Sequence, residues 1–232
     1  MVTILLQNYK FEYEVNRKGI RSIRLRLISK NSFQISCPHL TPNFLIQNFI
    51  NKNSDWIIKN SLKISPKKSI LGLKTIKILE KIYKIQWIKT QRDSVIIEEF
   101  EQKIYSNLSI FSESHAKKIL ESKLKPFALT LIKKELQNLS KNFNFKYNRV
   151  AVRNQSSRFG SCSGRGNLSF NWQIIFFPYL QFQHILLHEL THLEIKNHSS
   201  KFWNQLSIYD PNWKSHNKWL KTDAIKHFLI KP

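Results

Sequence analysis

The stretch "HILLHELTHLEIKNHSSKFW", residues 184–203, holds four of the chain's eight histidines. His188 and His192 stand four apart, so on a helix their rings leave one face with β-carbons about 5–6 Å apart. Both rings can then reach a single ion at roughly 2.0–2.1 Å per Zn–N bond. Glu189 lies about 100° further round, beside such an ion but outside the position of either ring. This is the H-E-x-x-H arrangement, in which the carboxylate takes a proton from an attacking water and passes it to the leaving group.

A catalytic zinc keeps three protein ligands and one open position. His198 follows His192 by six residues. A continuous helix would carry it some 240° round and about 9 Å along, onto the wrong face. The chain must therefore turn back, and "KNHSS" suits a turn. Asn197 tolerates left-handed angles at a helix end. Ser199 or Ser200 can cap a following helix that contains Phe202, Trp203 and Leu206. Two alternatives to His198 remain: Glu194 points away from the site, and His216 needs a tertiary path that the sequence does not specify. His184, one turn before His188, reads as a surface or supporting histidine rather than a ligand. His39, His115 and His227 have no ligand spacing.

The rest of the chain has the apolar content to carry such a site. Of its 232 residues 41% are hydrophobic, with sixteen Phe, six Trp and seven Tyr, enough for one sizeable core or two small ones. No apolar run reaches the ~18 residues that span a bilayer, so no membrane partner is expected. "MVTILLQNYK" lacks a basic leader. Cys37 and Cys162 suggest no disulfide framework, and a reducing, cytoplasmic setting is expected. The net charge is +23, from 29 Lys and nine Arg against 15 acidic residues. Clustered cations attract nucleic acid, but lysines spread through an Ile- and Asn-rich chain also match A/T-biased codon usage. Both readings stand.

The first forty residues read as strands, with alternation in "SIRLRLIS" and "NSFQISCP". "TPNFLIQNFINKNSDWIIKNSLKI" reads as a helix with Thr41 as N-cap, Pro42 at the first helical position and a break near Asn53 and Ser54. Its expected buried stripe is Phe44, Ile46, Phe49, Ile50, Trp56 and Ile57. "SPKKSILG" is a linker or turn. "LKTIKILEKIYKIQWIK", "SVIIEEF" and "QKIYSNLSIF" are further strands. A helix with Ser114 as its cap runs from Ser112 to about Lys141, kinked or divided at Pro126. "RVAVRN" is a strand and "QSSRFGSCSGRG" a loop. That loop holds three of the five glycines, which implies unusual backbone angles or close approach to another group. "NLSFNWQ" is a strand with Leu168, Phe170 and Trp172 on one face. It is either buried in the core or open to an added peptide strand past Ser169 and Asn171. "PYLQFQHILLHELTHLEI" is a helix with Pro178 in its first turn. No internal repeat stands out.

"SRFGSCSGRGNLSFNWQ", "HELTHLEIKNHSSKFW" and "DPNWKSHNKWLK", in this order, resemble the YgjP-like metallopeptidases of bacteria, which are similar to the SprT-like and WLM zincins. The resemblance covers residues 147–222 strongly and the early strands more loosely. It implies His188, His192 and His198 as ligands of one zinc ion and Glu189 as the catalytic carboxylate. Ile195 stands where metzincins, which share the ligand spacing, have glycine, and no Met-turn signature follows. The expected architecture is α+β: a β-rich amino-terminal region with one helix, residues 1–110, and a zincin-like, minigluzincin-type core, residues 111–232, or one continuous domain. Within the core, Arg158 reads either as a substrate-orienting group or as part of a tight loop, and Cys162 as structural.

The expected activity is a zinc-dependent peptidase acting on a peptide or protein. One alternative is a metal-dependent nucleoside triphosphate pyrophosphohydrolase, with Arg153, Arg158 and Arg165 as a phosphate clamp; three imidazoles suit zinc better than the magnesium of phosphoryl chemistry. The other is a nucleic-acid-associated SprT-like protease or binding module.

Overall fold

A computed structural model describes residues 2–62, 69–155 and 158–230. Residues 65–68 of the expected linker, and Ser156 and Ser157 of the expected glycine loop, lie outside the described residues. The protein is α+β, and its contacts divide it into Met1–Lys68 and Ser69–Pro232.

The first unit is a four-stranded sheet under two helices. Strands β1 (Val2–Leu6), β2 (Tyr9–Arg17), β3 (Arg24–Ser29) and β4 (Ser32–Cys37) assemble in the order β1-β2-β4-β3. Alternation turns Phe11, Tyr13, Phe33 and Ile35 to one face, where Ile46, Ile50, Ile57 and Ile58 of α1 (Asn43–Lys52) and α2 (Ser54–Ser61) bury against them. The expected helix is thus two, broken at Asn53. It starts one residue later than expected, because Pro42 is extended (ψ 147°) and takes the N-cap position. Phe44 and Trp56 are 63% and 50% exposed, so neither belongs to the buried stripe.

The second unit begins with the same arrangement. Strands β5 (Thr75–Ile78), β6 (Lys81–Lys89), β7 (Ser94–Glu98) and β8 (Lys103–Leu108) run in the order β5-β6-β8-β7. Both sheets pair antiparallel, parallel, antiparallel across that order. The first hairpins both turn through a left-handed residue, Gln7 (φ 52°) and Leu79 (φ 50°). Flanking bonds recur as well: Glu12 N to Asn31 O at 2.9 Å matches Lys84 N to Gln102 O at 2.8 Å. Lys18 N to Cys37 O and Thr90 N to Leu108 O match at 2.9 Å each. The chain therefore contains a repeated four-stranded module that its residue identities conceal.

The sequence reading divides the chain near residue 110, whereas the contact boundary falls at 68/69. The reason is shared burial: Ile104 and Leu108 of β8 pack in one cluster with Ala116, Leu120 and Leu124 of α3 (Glu113–Phe143). Ser112, not Ser114, caps α3 by accepting from His115 N. Pro126 neither ends nor divides it; α3 runs for 31 residues. Its apolar stripe supports a three-stranded sheet, β9 (Val150–Arg153), β10 (Gly160–Cys162) and β11 (Leu168–Asn171), in the order β10-β11-β9. A 3-10 turn, Trp172–Phe176, leads to α4 (Tyr179–Glu194), followed by α5 (Ser200–Tyr209), α6 (Trp213–Thr222) and the single turn α7 (Ala224–His227). Phe170, Phe177, Phe182 and Phe202 are fully buried here, each contributing about 1.5–3 kcal/mol relative to exposure.

Candidate metal centre

Helix α4 buries Ile185, Leu186 and Leu190 against the core and turns His188, Glu189 and His192 towards a cleft of about 670 Å3. The chain leaves α4 through Ile195 in an extended conformation (φ −125°). Asn197 is not left-handed; its Oδ1 instead accepts from Ser199 N at 3.3 Å. Ser199 sits at the N-cap position of α5. The turn brings His198 back over the helix, as its spacing requires. His198 Nε2 lies 2.9 Å from His188 Nε2 and 3.2 Å from His192 Nε2. Four ligands set tetrahedrally about zinc stand roughly 3.3 Å apart, so this donor set fits one ion with little adjustment.

The surroundings hold the rings in place and favour the neutral form of His188 and His192. Phe202 is fully buried beneath all three, with ring centroids 4.9, 4.5 and 4.8 Å from those of His188, His192 and His198. His192 Nδ1 donates to Ile195 O at 2.9 Å, which leaves Nε2 as the lone-pair nitrogen. Trp203 stacks on His198 at 5.5 Å and donates its indole N–H to His198 O at 3.1 Å. Burial, and then the neighbouring rings His192, His198 and His184, pull His188 down to about 3. His192 is lowered as well, mainly by burial. Neutral imidazoles are the form that binds a metal.

Glu189 is 6% exposed. Burial pushes its carboxyl up to about 8, against a smaller opposing effect from Arg158. Gly160 explains how the carboxylate fits: a β-carbon there would lie 2.6 Å from Glu189 Oε1. Of the two meanings that the glycine cluster carries, close approach holds at Gly160 and a left-handed angle at Gly166 (φ 71°). The "SRFGSC" part of the expected loop contains strand β10, whose residues line the cleft. β10 is one edge of this sheet among the described residues, whereas β11 is paired on both sides. Asn171 is fully buried, and no edge of β11 is open to a peptide.

Glu194 points away, with its carboxylate 3.4 Å from the Tyr209 hydroxyl. His184 and His216 belong to a second, buried cluster. Asp210 Oδ2 accepts from His184 Nδ1 at 2.6 Å and from His216 Nδ1 at 2.9 Å. Burial raises the Asp210 carboxyl, but those two bonds outweigh it and hold the group below its ordinary range. These three residues also have the composition of a metal site. Hydrogen bonds account for their separations fully, because 2.6 Å is shorter than neighbouring ligands of one ion adopt. Of Arg153, Arg158 and Arg165, only Arg158 lines the cleft. Sequence reasoning missed the supporting roles of Phe202 and Trp203, the Asp210 hub, and the contribution of Asn217, Leu220 and Lys221 of α6 to the cleft wall. Among the described residues, no helix is long and apolar enough to cross a membrane.

The sequence profile of a family described as "YgjP-like, metallopeptidase domain" matches residues 21–223. None of the curated proteins compared matches the sequence. Among solved structures, similarity is found to the metallopeptidase zymogen jannalysin of Methanocaldococcus jannaschii, at 24% identity and a TM-score of 0.35, over 40% of this chain and 97% of that one. The metallopeptidase zymogen abylysin of Pyrococcus abyssi is similar at 17% identity and a TM-score of 0.36, over 43% of this chain and 99% of that one.

Proposed function

The chain belongs to the YgjP-like metallopeptidase family, and on that premise we propose that it is a zinc-dependent peptidase with a single metal centre. His188, His192 and His198 would hold the ion through Nε2, and the approach of His188 Nε2 and His192 Nε2 to within 2.9 and 3.2 Å of His198 Nε2 is the observation that carries the reading. When bound, the ion supplies Lewis acidity, polarising the scissile carbonyl and lowering the pKa of a water from about 15.7 towards ~7. Glu189 serves as general base and then as general acid, taking the proton of the attacking water and delivering it to the leaving nitrogen. Gly160 leaves room for that carboxylate.

Strand β10 would position the peptide. Its bonds to β11 engage Phe159, Ser161 and Ser163, so by antiparallel alternation the N–H and C=O groups of Gly160 and Cys162 face the free edge. An extended substrate added there lies along the cleft. Helices α3 and α4 with the β9–β11 sheet are read as a zincin-like, minigluzincin-type core. Both cysteines are free, in keeping with a reducing, cytoplasmic setting.

Glu189→Gln tests the role of the carboxylate. Turnover of a peptide substrate is expected to fall at least about a hundredfold while metal content stays at that of the wild type. Undiminished turnover would remove Glu189 from the mechanism.

A further inference from the structure

The repeated module provides an internal control for the arginines of the first unit. Four of the nine arginines fall within "RKGIRSIRLR", residues 17–26. Arg17 ties the end of β2 to the start of α1, because its guanidinium donates to His39 O at 3.2 Å, Thr41 O at 2.6 Å and Asn43 Oδ1 at 2.8 Å. Arg21, Arg24 and Arg26 make no such tie. All three are exposed, and among the described residues none has a carboxylate within ion-pair distance.

Arg24 and Arg26 alternate with Leu25 and Leu27, so both point outward from the edge strand β3. Register places Arg24 opposite Ser36 and Arg26 opposite Gln34. In the second copy, the positions that pair in the same way with β8 are Ser94, opposite Asn107, and Ile96, opposite Tyr105. The module therefore folds without cations at these two strand positions, and Arg24 and Arg26 answer to something other than the fold. The face has carboxylates too, Glu12 and Glu14, but they lie two strands away on β2, and Glu14 already accepts from Gln34.

The geometry points to a binding surface for the phosphodiester backbone of a nucleic acid along β3, formed by Arg21, Arg24 and Arg26. Residues two apart on a strand stand about 6.6 Å apart, on the order of the repeat between phosphates of an extended strand. The planar guanidinium fork matches phosphate oxygens two at a time. Ser36 and Asn16, in the same cross-strand row as Arg24, add short polar groups of the kind that contact phosphate and sugar. The outward positions of β2, β3 and β4 carry no aromatic ring on which bases would stack. Binding is thus indifferent to sequence and steeply dependent on salt.

The test is fluorescence anisotropy of the full chain with labelled single-stranded and duplex oligonucleotides of mixed sequence, over a salt series. The triple variant R21Q/R24Q/R26Q is compared with K133Q/K134Q/K141Q, which removes equal charge from exposed positions of α3. Thermal unfolding confirms that both variants are folded. The arginine variant is expected to bind at least about tenfold more weakly, with a log K against log salt slope shallower by about 2–3. The lysine variant is expected to change affinity less than about threefold. Equal weakening by both variants would overturn the surface, as would absence of oligonucleotide binding at low salt. Loss of binding to phosphatidylserine vesicles, with oligonucleotide binding intact, would also overturn it and assign the edge to a membrane.

Discussion

Two residues of the candidate centre have displaced proton equilibria of opposite sign, and the consequence is measurable without any substrate. Glu189, ordinarily at 4.5, is pushed up to about 8 by burial, so between those values the metal-free folded chain keeps a proton that the unfolded chain has lost. Its contribution to stability is complete below 4.5 and is lost as pH rises through 8. His188, ordinarily at 6.5, is held near 3, so its contribution is lost as pH falls from 6.5 through 3. The two oppose each other between 4.5 and 6.5, and above 6.5 the loss from Glu189 remains alone. Denaturant unfolding of the metal-free protein is therefore expected to show about 2 kcal/mol less stability at pH 8 than at pH 6.5, and Glu189→Gln should abolish that difference. Parallel curves for the two proteins would contradict the buried, protonated carboxyl. At this scale the sequence was informative wherever spacing along one helix sets geometry, as for His188, Glu189 and His192. It was silent on Phe202, whose place in a hydrophobic stripe says nothing about which rings it supports.

Among the elements, α4 and α5 followed from periodicity, because a buried face leaves a clear record in the sequence. Strand β10 did not. Three residues, the first of them Gly160, are too few for alternation to register, and only the sheet pairing and the cleft reveal them as an edge strand. The turn at residues 195–199 was anticipated as a reversal but not in its mechanism, since Ile195 in an extended conformation makes the reversal expected of a left-handed Asn197. The hub at Asp210 joins α4 to α6 through His184 and His216, residues 26 and 6 positions away, and no local pattern encodes such a link. Asp210→Ala leaves two buried N–H groups without an acceptor, at about 1–3 kcal/mol each. The melting temperature should fall by roughly 4–24 °C, while metal content stays at that of the wild type. A parallel loss of metal would show that the hub itself binds an ion.

For the molecule as a whole, the two units have separate hydrophobic clusters, and every residue assigned to the metal centre lies in the second. Residues 69–232 expressed alone are expected to unfold cooperatively and to bind one equivalent of zinc; a chain that is unfolded with zinc present would contradict the division. The duplicated module was invisible in the sequence because it is conserved in burial, not in identity. "YKFEYEVNR" and "KIYKIQWIK" share the alternation of a sheet with one buried face, and many sequences satisfy that alternation. The net charge of +23 left two readings open, and the contrast between Arg24 and Arg26 and their counterparts Ser94 and Ile96 locates where the difference can be tested. The most direct test of the metal centre is anomalous diffraction at the zinc edge from crystals of the full chain equilibrated with zinc. One peak about 2.0–2.1 Å from Nε2 of His188, His192 and His198 is the predicted result. A peak at Asp210 alone, or none near the three rings, would contradict it.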